Sequence, residues 1–179
     1  MVDAAQDKAE RFNLWGPLSA FGLATAAVTL VFDQASKFWL LEVFDLEARA
    51  RVAVTPFLDL VVIWNTGISY GLFQEQGVTA PWALLAFKLV AVVLLWIWLA
   101  RSSSRLTAAA LGLIIGGAVG NAIDRLHWPG VMDFVLFHID TARWRFNWYV
   151  FNLADAAIVV GVFVLLYASF AVRDAAKAP

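Results

Sequence analysis

The chain of 179 residues contains no cysteine, which excludes disulfides, thiol nucleophiles and cysteine-based metal sites. Charge is scarce as well: Asp, Glu, Lys and Arg supply 15% of the residues and leave a formal net charge of -1. No basic run of the kind that tracks phosphates is present, so nucleic acid is set aside as a partner. The stretch from Met1 to Arg11 mixes acids with bases and lacks the positive n-region of a cleavable signal. The first apolar run is therefore expected to stay as an anchor. No tandem repeat or low-complexity linker is visible, and a single membrane domain over 1-179 accounts for the sequence.

What fills the chain is apolar: 62% of it is hydrophobic and the mean hydropathy is +0.75. A soluble domain carries an apolar share of about 45 to 50%. The sequence predicts an all-α integral membrane protein with four transmembrane helices, over about 17-40, 81-100, 106-123 and 148-172. Four crossings return both termini to one side. The link Arg101-Ser-Ser-Ser-Arg105 shares that side with Lys8, Arg11, Arg173 and Lys177, and by the positive-inside tendency it is cytoplasmic. Segments 41-80 and 124-147 are then extracytoplasmic. Within them, Arg51 to Trp64 and Val131 to Ile139 read as strands, which adds a small extracytoplasmic β platform. Trp15, Trp39, Trp82, Trp98 and Trp148 fall near span ends, where indole prefers the headgroup layer.

The polar residues that remain crowd the face opposite Arg101 and Arg105. Asp33 and Lys37, spaced i,i+4, share a helix face and either simply pair or help position a substrate. Asn65-Thr66-Gly67 reads as a turn, or, given Trp64 and Tyr70-Gly71-Leu72-Phe73 around it, as a clamp over the membrane. Gly112, Gly116 and Gly120, with Gly117 beside them, form a small-residue stripe suited to close helix packing. A phosphate-loop reading fails without a Gly-Lys-Ser/Thr. Asn121, Asp124 and Arg125 lie at i, i+3 and i+4 and are either a structural clasp or, through Arg125, a fork for a carboxylate or lipid phosphate. His127 and His138 flank Asp133 but lack any compact ligand spacing, so no metal and no other cofactor is expected.

Asp133 and Asp155 carry the most chemistry. Each sits at the edge of an apolar stretch, where an ionised carboxylate is expensive and usually functional. The second outer loop between them is long enough to double back and bring them together, and Asn152 fits the N-cap of the last span. Two adjacent carboxyls share one proton and can hydrolyse a peptide bond without metal or covalent intermediate.

Five blocks in order resemble the lipoprotein signal peptidase (signal peptidase II) family: Asp33-Gln-Ala-Ser-Lys37, Asn65-Thr-Gly67 with Gly71 and Phe73, Gly120-Asn-Ala-Ile-Asp-Arg125, Val131-Met-Asp-Phe134 and Phe151-Asn-Leu-Ala-Asp155. The resemblance implies a bacterial inner-membrane aspartyl endopeptidase that removes the signal peptide of diacylglyceryl-modified prolipoproteins, cleaving before the lipid-modified cysteine. It implies Asp133 and Asp155 as the catalytic pair. Asp33, Lys37, Asn65, Gly67, Asn121, Asp124, Arg125, Asn152 and Ala154 would bind substrate or support the site. The expected partners are the prolipoprotein and membrane lipid, and the expected unit is a monomer. The competing class is a small proton- or ion-coupled transporter subunit, but its polar residues should spread over several depths.

Overall fold

The structure is a computed structural model that describes residues 14–66, 79–141 and 143–175. Helix α1, Ser19–Phe38, runs on into a π-helical turn, Trp39–Val43, and a short helix α2, Leu46–Arg49. Strands β1, Arg51–Thr55, and β2, Leu58–Asn65, follow, then helices α3, Thr79–Ala100, and α4, Arg105–His127. The chain ends with β3, Val131–Asp140, β4, Arg145–Asn147, and helix α5, Leu153–Ala175. The four strands form one antiparallel layer in the order β1-β2-β3-β4. Helices plus a small antiparallel sheet thus match the architecture expected from sequence, and the sheet extends the predicted platform by β4. The clamp proposed at Gly67, Tyr70, Gly71, Leu72 and Phe73 lies outside the described residues.

Among the described residues, two helices are long and apolar enough to cross a membrane: α4, with a mean hydropathy of 1.8, and Leu153–Phe170 of α5, at 2.2. Only 17% of the latter window is buried, so its apolar side chains face outward, Phe163 and Tyr167 among them. A soluble fold would leave that surface in water at large cost. In α1 Asp33, Gln34 and Lys37 dilute the apolar run.

The glycine stripe does what its spacing predicts. Helix α4 sits between α1 and α5 because its glycines let neighbouring backbone approach: a Cβ on Gly112 would lie 2.6 Å from the Gly22 carbonyl oxygen, and one on Gly116 2.5 Å from that of Ala26. On the other face a Cβ on Gly117 would lie 2.5 Å from the Ala154 carbonyl oxygen. Around Leu99 and Leu111 a purely apolar cluster with Ala26, Ala108 and Ile115 fills the half nearest the Arg101–Arg105 link. Ser104 caps α4 there by accepting from the Thr107 amide. At the opposite end Leu40, Leu46, Met132 and Phe134 bury the seam between the π turn, α2 and the sheet.

Helix α5 begins at Leu153, five residues later than its hydropathy suggested from Trp148. The reason is backbone pairing: Phe151 bridges antiparallel to Val135, its carbonyl accepting from the Phe134 and Val135 amides at 3.1 and 2.8 Å. That bridge holds the residues before α5 against β3.

Gly116→Ala should destabilise the protein by about 1 to 3 kcal/mol, because the added methyl meets backbone that cannot move alone. The gain of about 1 kcal/mol that Ala brings to an open helix site is too small to offset this. Thermal unfolding in detergent checks it, with an unchanged midpoint counting against tight α1–α4 packing.

Candidate active site

Four elements converge where α1 and α4 end, α5 begins and the sheet starts. Asp33, wholly buried, presents one oxygen to the Ala154 amide at 3.0 Å and the other to Lys37 Nζ at 2.8 Å. The first of these bonds satisfies an otherwise unpartnered N–H in the first turn of α5, with a charge of the sign that the helix N-terminus favours. Lys37 Nζ also pairs with Asp124 at 2.7 Å and donates to Asn121 Oδ1 at 3.4 Å. Asp124 in turn accepts from the Met132 amide at 3.1 Å and from Gln34 Nε2 at 2.8 Å. The i,i+4 pair read from sequence is therefore real, but it is one side of a buried triad, Asp33–Lys37–Asp124. Gly120 leaves the space for it, since a Cβ there would lie 2.6 Å from Asp33 Oδ2.

The clasp expected within Asn121, Asp124 and Arg125 is only partly formed. Arg125 donates to the Asn121 backbone carbonyl at 2.9 Å, whereas the carboxylate of Asp124 turns to Lys37. Neighbouring positions on a helix point about 100° apart, so Asp124 and Arg125 face different sides of α4. Half-buried Arg125 instead lies within electrostatic reach of Asp133 and Asp155 as well as Asp124.

Asn152 joins the two aspartates. Its side-chain amide donates to Asp133 Oδ1 at 2.7 Å and to Asn121 Oδ1 at 3.1 Å. As the N-cap of α5 it accepts from the Asp155 amide at 2.9 Å, and its own amide donates back to Asp155 Oδ2 at 3.3 Å. This is the reciprocal pattern of a capping box, with Asp155 at the third helical position. Asn121 Nδ2 holds the other Asp155 oxygen at 2.8 Å. Asn65 completes the set from β2: its amide donates to Asp133 Oδ2 at 3.0 Å. The register makes this contact possible, since Val131 faces Asn65 and Asp133 faces Ile63, placing Asn65 and Asp133 as diagonal neighbours on one face.

Asp133 is buried, and Asp155 is half-exposed. Burial is the main reason the Asp133 carboxyl is pushed up to about 6; the Asp155 charge adds to the shift, while Asn65, Asn152 and Lys37 oppose it. Of the residues expected at the site, Asp33, Lys37, Asn65, Asn121, Asp124, Arg125, Asp133, Asn152, Ala154 and Asp155 all fall in or beside this network. Gly67 lies outside the described residues. Sequence reasoning missed Gln34, whose amide also reaches the Gly120 carbonyl at 3.2 Å, although its place one residue after Asp33 put it beside the triad.

His138 belongs elsewhere. Its ring nitrogens lie 3.2 Å from Asp59 and 3.3 Å from Asp140, on the sheet and away from the carboxyl pair, while His127 Nδ1 contacts the Ile123 carbonyl oxygen at 3.0 Å. Burial lifts the Asp59 carboxyl, but hydrogen bonds and charge from Arg51 and His138 outweigh this and hold it below its usual value. No group of three or more metal-ligating side chains occurs among the described residues.

The family model for signal peptidase (SPase) II matches residues 25–171. The lipoprotein signal peptidase of Nitrobacter hamburgensis is 60% identical over 158 residues, covering 88% of this chain and 96% of that protein. That of Rhodopseudomonas palustris strain TIE-1 is 57% identical over the same shares. In three dimensions the chain resembles a bacterial membrane enzyme solved by the in meso method at 2.3 Å, with a TM-score of 0.71, 22% identity, and coverage of 89% of this chain and 93% of that one. A second such enzyme, solved at 1.9 Å, gives a TM-score of 0.66 at 21% identity, over 83% of this chain and 92% of its own. At these identities the two structures speak for the fold.

Two outcomes follow from the geometry. Lys37→Met leaves two buried carboxylates facing each other without their cation, and should destabilise the protein by about 3 to 5 kcal/mol, read as a lower unfolding temperature in detergent. Asp133 binds its proton more tightly folded than unfolded, so the folded state holds more protons between pH 3.8 and about 6. Raising the pH through that window should then cost wild type about 3 kcal/mol relative to Asp133→Asn. Unfolding midpoints of the two proteins against pH test this, and parallel curves would contradict the shift.

Proposed function

This chain belongs to the signal peptidase II family, and from that premise we propose that Asp133 and Asp155 are its catalytic pair. The protein is a peptidase that removes signal peptides from prolipoproteins. It is a membrane enzyme, as its relatives and its exposed apolar helices indicate. In the finer reading, four helices span the bacterial inner membrane with the termini cytoplasmic. The carboxyl pair then lies at the periplasmic face, and cleavage falls just before the diacylglyceryl-cysteine.

One observation supports the pair above all: Asn152 bonds both aspartates at once, and Asp133 sits near 6 while its partner remains reachable from solvent. Two carboxyls so close hold one proton between them, and burial favours leaving it on Asp133. Asp155, the more exposed member, takes a proton from a water molecule as that water attacks the scissile carbonyl carbon. Asp133 gives its proton to the carbonyl oxygen, forming a neutral tetrahedral diol. On collapse the C–N bond breaks, Asp155 passes its proton to the leaving amine, and the hydroxyl proton returns to Asp133. The pair is restored, and no metal step enters the balance.

Asn65 and Arg125 flank the pair on the sheet and α4 sides, where they serve to hold substrate backbone and the lipid-proximal carbonyls. The placement also solves access: water reaches Asp155 from outside while the signal helix and acyl chains of the precursor stay in lipid.

Asp133→Asn and Asp155→Asn should each insert in the membrane yet process a lipid-modified precursor about 100- to 10,000-fold more slowly, the range lost with a general acid or base. Gel-shift assays in proteoliposomes, with and without chelator, test the assignment. Full activity of either variant removes that residue from the chemistry, and sensitivity to chelator would bring a metal into it.

A further inference from the structure

Beside the Asp33–Lys37–Asp124 triad lies a cavity of about 240 Å³, bounded by the end of α1 with its π-helical turn, the last turn of α4 and the residues leading into β3. Lys37, Asp124 and Gln34 line it together with Glu42, His127 and Trp128. The three asparagines that bond Asp133 and Asp155 do not. Met132 does, but it points away from Asp133, because neighbours on a strand alternate between faces. The cavity is therefore separate from the carboxyl pair. Pockets that enclose a drug-sized ligand run to about 300 to 1,000 Å³, so this one fits a small group and not a peptide.

The groups that line the cavity suit a cation. Lys37 Nζ is taken by Asp33, Asp124 and Asn121, and the amide nitrogen of Gln34 by Asp33, Asp124 and the Gly120 carbonyl. Apart from the Trp128 indole N–H, the polar side-chain atoms lining the cavity that lack a partner among the described residues are acceptors. They are Gln34 Oε1, the carboxylate of exposed Glu42, and Nε2 of His127, whose Nδ1 proton faces the Ile123 carbonyl oxygen. Charge points the same way: the triad keeps one net negative charge, Glu42 adds a second, and Arg125 faces another side of α4. Trp128, 5.4 Å from the Trp64 ring, adds an indole, the aromatic group that attracts cations best.

The surface around the cavity is apolar and outward-facing. Phe38, which lines it, is 64% exposed, and Val31 is as exposed. With exposed Ala35 between them, they form a track along one face of α1 at i, i+4 and i+7. Trp39, Val43 and Trp128 are exposed at the same helix ends, the depth at which indole meets lipid headgroups. An acyl chain on Val31 and Phe38 carries its headgroup to Glu42. We propose that this cavity binds the primary ammonium of an ethanolamine-type phospholipid headgroup, its N–H donors shared among Glu42, Gln34 and His127. The bound headgroup braces the end of α1 against that of α4, and it does so whichever residues perform the cleavage.

Native mass spectrometry of the full chain in detergent, titrated with phosphatidylethanolamine, phosphatidylcholine or phosphatidylglycerol of matched acyl chains, tests the site. Wild type should bind phosphatidylethanolamine about 10-fold more tightly than the other two, since choline replaces the N–H donors with methyl groups and glycerol carries no cation. Glu42→Gln should bring phosphatidylethanolamine down to the level of phosphatidylcholine. Glu47→Gln, at an exposed acid outside the cavity, should keep the preference. His127→Leu, which removes another acceptor, is read in place of Glu42→Gln should that variant not fold. Equal affinity of wild type for the three lipids, a preference that survives Glu42→Gln, or one that Glu47→Gln also abolishes overturns the proposal. So does free ethanolamine that displaces the lipid at equal concentration, because the ligand is then a soluble amine and not a headgroup.

Discussion

Charge that cannot reach water must be matched in place, and in this protein Lys37 meets that constraint for two carboxylates at once. Asp33 and Asp124 come from different helices, and both close on one ammonium. Such a cluster gains little net energy over an apolar equivalent, since desolvation consumes most of the Coulomb attraction. Its value is positional. Asp33 has one oxygen left for the first turn of α5, and the Asp124 oxygen that meets Lys37 also accepts from the Met132 amide at the start of β3. The two segments that carry Asp133 and Asp155 are thereby both tied to the same charge cluster.

From the cluster outward, asparagine does the connecting. A neutral amide can donate to a carboxylate and accept from a cation in the same side chain, so Asn121 accepts from Lys37 and donates to Asp155. Asn152 accepts at the helix cap and donates to Asp133. Aspartate in either position would add a third negative charge, and lysine would have no acceptor. The amides thus orient both acids, and those on Asp133 favour its ionised form, which burial outweighs.

Much of this was legible in the sequence, and the failures have physical causes. Long apolar runs and glycine spacing gave the helices and the α4 packing faces, because both depend on local periodicity. The segregation of polar residues to one end of the helices is likewise read from the sequence alone, and the networks around Lys37 and Asn152 gather at that end. Partner choice was another matter: Asp124 sits next to Arg125 in the chain yet binds Lys37, because adjacent helical residues diverge and the pairing is tertiary. Strand β4 and the delayed start of α5 were missed for a similar reason. Hydropathy counts Trp148, Tyr149, Val150 and Phe151 as membrane-compatible, whereas the Phe151 backbone is committed to Val135.

That commitment ties folding to chemistry. Asp155 alone, at the start of an apolar helix, would be a solvated capping acid, and Asp133 alone a half-covered strand residue. They become a pair only when β3 has paired with β2 on one side and with Phe151 on the other, because the first contact brings Asn65 to Asp133 and the second brings Asn152. The small sheet therefore does more than cover the helix ends. It supplies one of the two acids and buries it, and burial is what pushes that carboxyl up to about 6, where its protonated form persists well above the usual carboxylate range. A bundle without the sheet would keep its charge triad and its glycine packing but would lack Asp133, the carboxyl that burial raises.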